Sequence, residues 1–126
     1  MVAIAIGGAL GALARYEVAQ LIAVAPDRFP WATFWTNISG AFVLGFFVTF
    51  VVERVRPTRY LRPFFAVGFL GAYTTFSTLA VETVLLVKDG HVALGVGYTL
   101  ASIIAGLGVA YLGILLARSR MREDTR

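Results

Sequence analysis

Eight consecutive residues, Gly71-Ala72-Tyr73-Thr74-Thr75-Phe76-Ser77-Thr78, gather hydroxyl side chains around one phenylalanine in the middle of a long apolar stretch. The flanks, Phe64 to Leu70 and Leu79 to Val87, carry a single charge, Glu82. Polar groups at membrane depth are costly unless they meet a partner, an ion or water, so such a cluster marks a functional site. Two kinds of chemistry suit it. Hydroxyl and amide protons can replace the water around a dehydrated anion, and backbone carbonyls freed from a helix can hold a cation.

Further polar stations fall at helical spacing. Thr33, Thr36, Asn37 and Gly40 lie three and four residues apart and share one face. The Asn37 carboxamide offers two N–H donors, suited either to an anion or to an interhelical hydrogen bond. Tyr98, Ser102 and Gly106 recur every fourth residue, so a phenol and a hydroxyl share a stripe beside an open glycine position. That stripe reads either as a donor track or as a serine bonded back to the Tyr98 carbonyl with the tyrosine reaching toward the interface. Phe76 can turn the positive edge of its ring to an anion or simply pack. Arg15 is expected to snorkel or to pair with nearby Glu17, and Glu82, two turns beyond Phe76, is placed at a pore mouth or a solvated helix end. His91 has no second histidine to make a metal site and is assigned no role.

These residues must be held by membrane-spanning elements. Of 126 residues, 59% are hydrophobic and 14% charged, and the mean hydropathy is +0.81, outside the range of soluble domains. Four segments, roughly 2 to 24, 31 to 52, 64 to 87 and 92 to 117, supply the ~20 apolar residues that a bilayer crossing needs. The fold class expected is an all-α integral membrane protein of four transmembrane helices forming one domain over 1–126. The first apolar run lacks a basic leader and is interrupted by Arg15, Glu17 and Gln20, so it is read as a retained helix rather than a secretory signal. With no cysteine, thiolate chemistry and disulfides are excluded. Paired carboxylates beside a cleft, a nucleophile triad and metal-ligand spacing are also missing from the sequence, which argues against an enzyme.

The net charge of +4 reads as topology rather than nucleic-acid binding. Arg54, Arg56, Arg59, Arg62, Arg118, Arg120, Arg122 and Arg126 would share one face, against Arg28 and Lys88 on the other. The bias predicts cytoplasmic N- and C-termini. Trp31 and Trp35, one turn apart, fit an outer interfacial belt. Gly68, Gly71 and the threonine run weaken regular helix, which predicts a break near the middle of the third span. Four thin helices enclose no lumen, so oligomerisation is expected, with Gly7/Gly11, Gly8/Ala12, Ala41/Gly45 and the glycines of the fourth span available for close helix contact within or between chains.

Taken in order, Gly7-Gly8-Ala9-Leu10-Gly11-Ala12-Leu13-Ala14-Arg15-Tyr16, Thr36-Asn37-Ile38-Ser39-Gly40, Gly68 to Thr78, and Tyr98 with Ser102 make the chain resemble the CrcB/Fluc family of small membrane fluoride channels over nearly its whole length. The resemblance implies an antiparallel dimer with two pores, each lined by both chains, and passive export of cytoplasmic fluoride from a bacterial plasma membrane. By the same resemblance Asn37 would donate to fluoride, Phe76 would supply the first ring of an aromatic pair, and Ser77, Tyr98 and Ser102 would belong to the polar path. The backbone carbonyls of Gly71 and Thr74 would hold a structural sodium ion at the dimer centre. Where the family's motif usually ends in a second phenylalanine, this chain has Leu79. Together with the charge bias, that departure raises a heterodimer with a homologous sister chain as the alternative to a homodimer.

Two other readings compete. A small proton-coupled multidrug exporter would use Glu17 as its intramembrane carboxylate, although Arg15 beside it would keep it ionised. A structural membrane subunit would explain the glycines but leave Asn37, the third-span cluster and Tyr98 without a task.

Overall fold

Each of the four apolar runs forms a helical span in the computed structural model, which describes residues 1–54 and 59–124. The spans are α1 (Val2–Leu21), α2 (Trp31–Arg54), an interrupted third span, and α5 (Val92–Glu123). The third comprises a π-helix (Pro63–Leu70), α3 (Gly71–Tyr73), an extended step at Thr74 and Thr75, and α4 (Phe76–Lys88). No strand occurs among the described residues. Arg56 and Arg126 of the charge count lie outside them.

The boundaries follow local chemistry. α1 stops at Leu21, three residues short of the expected end, with Ile22 as its C-cap. Pro63 opens the π-helix, where its missing N–H costs nothing. Gly90, at φ 86°, takes the left-handed conformation that turns α4 into α5. The break in the third span falls where the hydroxyl run predicts it. The fourth span runs six residues past the expected 117. An apolar-length criterion sees only the part in lipid, whereas this helix continues as a charged rod. Arg118 pairs with Glu53 at 3.1 Å, and Arg54 donates to the Met121 carbonyl at 2.6 Å, joining the rod to the end of α2.

α2 packs along α5, α1 along the π-helix, and α4 along the first half of α5. Glycines set the first two contacts. A Cβ at Gly7 or Gly11 would run into the Phe64 or Phe69 carbonyl, and one at Gly45 or Gly113 into the Ala110 or Phe42 carbonyl. These serve packing within the chain, whereas Gly97, Gly106 and Gly108 face open space. The buried apolar cluster is small: Leu79, Leu86 and Tyr98, with Phe29, Phe34 and Leu94 against them. Most other large apolar side chains, including Leu10, Ile104 and Leu107, point outward, as the solvent of a bilayer requires. Trp31 and Trp35 stack at 6.2 Å near the start of α2.

Candidate ion pathway at the break in the third span

Thr75 is the pivot of the break. Its backbone is extended (φ −148°, ψ 118°), and its peptide groups pair with one side chain from the neighbouring span. Asn37 Nδ2 donates to the Thr75 carbonyl at 3.0 Å, and the Thr75 N–H donates to Asn37 Oδ1 at 2.8 Å. The Thr75 hydroxyl oxygen accepts from the Thr78 N–H at 3.2 Å, so Thr75 is the N-cap of α4. One Asn37 N–H is therefore spent, and one remains.

Beside this pair lies an open groove of about 700 Å³ between α2, α4 and α5, lined by Asn37, Thr75, Phe76, Leu79, Ser102 and Gly106 among others. Ser102 is buried, 7% exposed, and its Oγ has no hydrogen-bond partner. Of the two readings of the Tyr98–Ser102 stripe, the bond back to the Tyr98 carbonyl is not made. Buried hydroxyls are nearly always satisfied, so this one points to something that enters the groove. Phe76, in contrast, is 78% exposed at the first turn of α4. That turn also presents N–H groups with no intrahelical acceptor and the positive end of the helix dipole. Leu79 is buried against Tyr98 and Leu86 and lines the groove with an aliphatic wall where a ring was the family's pattern.

A second cavity, about 740 Å³, opens on the far side of Thr75 and is lined by Arg15, Arg28, Thr33, Thr78 and Glu82, among others. Glu82 sits in its wall rather than free at a mouth. Its two oxygens accept from Thr33 Oγ1 at 2.8 Å and Tyr98 Oη at 2.6 Å. Tyr98 is fully buried under the edge of Phe29, at 5.2 Å. It lines neither cavity, whereas Asn37, Phe76 and Ser102 share the groove. Ser77 is on the exposed side of α4 and shares a hydrogen bond with the Thr75 hydroxyl.

Of the two alternatives for Arg15, snorkelling or pairing with Glu17, the pair does not form among the described residues. Two residues apart on a helix, the side chains diverge. Arg15 turns into the second cavity and Glu17 to the exposed side. Glu17 lines neither cavity. Sequence reasoning named Thr75 only as one of the hydroxyl run, and Arg15 and Arg28 only as basic residues, and gave none of the three a place of its own in the site. Thr75 alone of its run touches both cavities, and nothing in a string of similar hydroxyls marks it.

The break also frees the carbonyls of Gly71 and Thr74 from their helical partners. In an uninterrupted helix they would accept from the N–H groups of Thr75 and Thr78. Those donors instead go to Asn37 Oδ1 and Thr75 Oγ1. Both acceptors are left without their helical donors.

Fold and site together define a four-span membrane protein whose third span is broken between two cavities. Residues 2–114 match the family model described as CrcB-like protein, Camphor Resistance (CrcB), and the chain belongs to that family. It is 46% identical over 118 residues to fluoride-specific ion channel FluC 1 of Mycolicibacterium paratuberculosis, covering 94% of this chain and 89% of the relative. It is 42% identical to fluoride-specific ion channel FluC 1 of Mycobacterium bovis over 124 residues, 98% and 94% of the two chains. Against fluoride-specific ion channel FluC of Saccharophagus degradans the identity is 39% over 114 residues, 90% and 86%.

Proposed function

We propose that this chain is a passive, fluoride-selective ion channel that lets fluoride accumulated in the cytoplasm leave across a bacterial plasma membrane. The names of its relatives support fluoride as the ion, and the single structural observation that carries the site is the partnerless Ser102 hydroxyl in the Asn37–Phe76 groove. A fluoride ion there meets the second Asn37 N–H, the Ser102 O–H, the edge of Phe76 and the first turn of α4. These are donors, and the surrounding wall is apolar. Fluoride is small and strongly hydrated, so close donors compensate its dehydration better than they do that of a larger halide.

An antiparallel dimer with two pores fits a groove that stands open along one side and a phenylalanine that one chain leaves uncovered. Leu79 and the arginine bias support a sister chain as the partner, with a homodimer as the other outcome. The cytoplasmic face is assigned to the ends of α2 and α5. Sodium would be held by the Gly71 and Thr74 carbonyls, where its charge offsets the cost of an anion at mid-membrane.

The test is efflux from liposomes holding the purified protein alone, followed with a fluoride electrode beside chloride and a cationic dye. Fluoride release without chloride or dye is the expected result. Proton-driven dye transport would replace this reading with the exporter. Phe76→Ala is expected to slow fluoride at least tenfold while the protein still inserts, and an unchanged rate would remove Phe76 from the path.

A further inference from the structure

We infer that Asn37 is the strut that keeps the third span unwound, so that one side chain links the anion path to the carbonyls beyond the break. The Thr75 N–H has two acceptors to choose from. One is the Gly71 carbonyl four residues back, which would continue the helix. The other is Asn37 Oδ1, which holds it at 2.8 Å while Nδ2 of the same carboxamide holds the Thr75 carbonyl at 3.0 Å. The side chain thus does for one residue what a neighbouring strand does in a sheet.

A second feature of α2 fits the unwound step. Gly40 leaves the space that the Thr74 methyl group fills, and any Cβ there would collide with it. Asn37 and Gly40 lie one turn apart, so a single face of α2 both grips Thr75 and receives Thr74. On α4 the Thr75 hydroxyl completes the arrangement by taking the Thr78 N–H from the Thr74 carbonyl. The Gly71 carbonyl is released by Asn37, and the Thr74 carbonyl by Thr75 itself. Losing the Asn37 oxygen lets the Thr75 N–H return to Gly71, which rewinds the step and withdraws that carbonyl from a cation. Asn37 is a positioning residue in this role, in addition to any contact with the ion.

The chain has no cysteine, so spin labels can be placed at Val67→Cys and Val81→Cys, outward positions that are each 57% exposed on either side of the break. Labelled protein is diluted into unlabelled protein, and the interspin distance is measured in vesicles. Rewinding two extended residues shortens the span by about 3–4 Å, since a strand rises ~3.3 Å and a helix 1.5 Å per residue. Asn37→Leu, close in shape but unable to hydrogen-bond, is expected to give that shortening, and Asn37→Ala the same. Asn37→Asp keeps an oxygen for the Thr75 N–H and is expected to hold the parent distance while fluoride flux falls.

The linkage has its own readout, which rests on the sodium reading above. Sodium titration of the thermal midpoint should move to at least tenfold higher concentration in Asn37→Leu and stay at or below the parent value in Asn37→Asp. Unchanged distances in both the Leu and Ala variants would overturn the strut. Parent-like sodium midpoints in those variants, with shortened distances, would overturn the linkage alone. Neither measurement uses fluoride, so failure of the channel reading is separately visible.

Discussion

The Ser102 hydroxyl and the Tyr98 hydroxyl sit one turn apart on α5 and live in opposite circumstances. Tyr98 donates to Glu82 at 2.6 Å with no exposed surface, and Ser102 donates to nothing among the described residues. Any helical serine can bond to the carbonyl four residues back, so the sequence could not separate the two cases; the packed structure does. Ser102→Ala should therefore leave the thermal midpoint nearly unmoved, a change under about 0.5 kcal/mol, because no internal bond is lost. Its fluoride rate should still fall about tenfold, the equivalent of ~1.4 kcal/mol at the barrier, as read by efflux from liposomes. Tyr98→Phe keeps the ring beneath Phe29 but leaves Glu82 Oε2 without its donor. A lowered thermal midpoint is expected, because leaving a part-buried acceptor unsatisfied costs about 1–3 kcal/mol. A parent-like midpoint would mean that water or another group replaces the phenol.

At the level of the helices, the four spans were legible because about 20 apolar residues can hardly do anything else in a chain of this composition. The break was legible for a different reason: Gly71 and the threonines favour non-helical backbone, and Thr75 is a good cap. The π-helix was not. Its wider turn goes with the close seating of α1 on the third span, where Gly7 and Gly11 lie against the Phe64 and Phe69 carbonyls, a tertiary contact that no local pattern records. Glycine at 11 and glycine at 97 look alike in the sequence, yet one is pressed on backbone and the other faces open space. Gly11→Val is expected to destabilise the chain by several kcal/mol through a clash that backbone cannot yield to, and Gly97→Val to be tolerated. The yield of monodisperse protein after extraction, compared between the two, checks the difference.

For the molecule as a whole, shape and charge matter more than core. Only 11–22% of each span's apolar window is buried inside the chain, so lipid or a second subunit must cover the rest. The proposed orientation rests on the basic residues at the ends of α2 and α5. Replacing Arg118, Arg120 and Arg122 together with Gln should increase the fraction inserted the opposite way, measurable by labelling a cysteine introduced at Gly90 from outside intact cells. An unchanged fraction would assign orientation to the remaining arginines. The overshoot of α5 has a practical corollary. Its 32 residues make a rod of about 48 Å at 1.5 Å per residue, against ~30 Å of hydrocarbon, and the excess is riveted to α2 through Glu53 and Arg54. A reporter grafted in continuous helix after Glu123 would stand on a stiff mast, turning with the transmembrane bundle instead of tumbling on a tether, and would give microscopists a fiducial for a protein otherwise hidden in its bilayer.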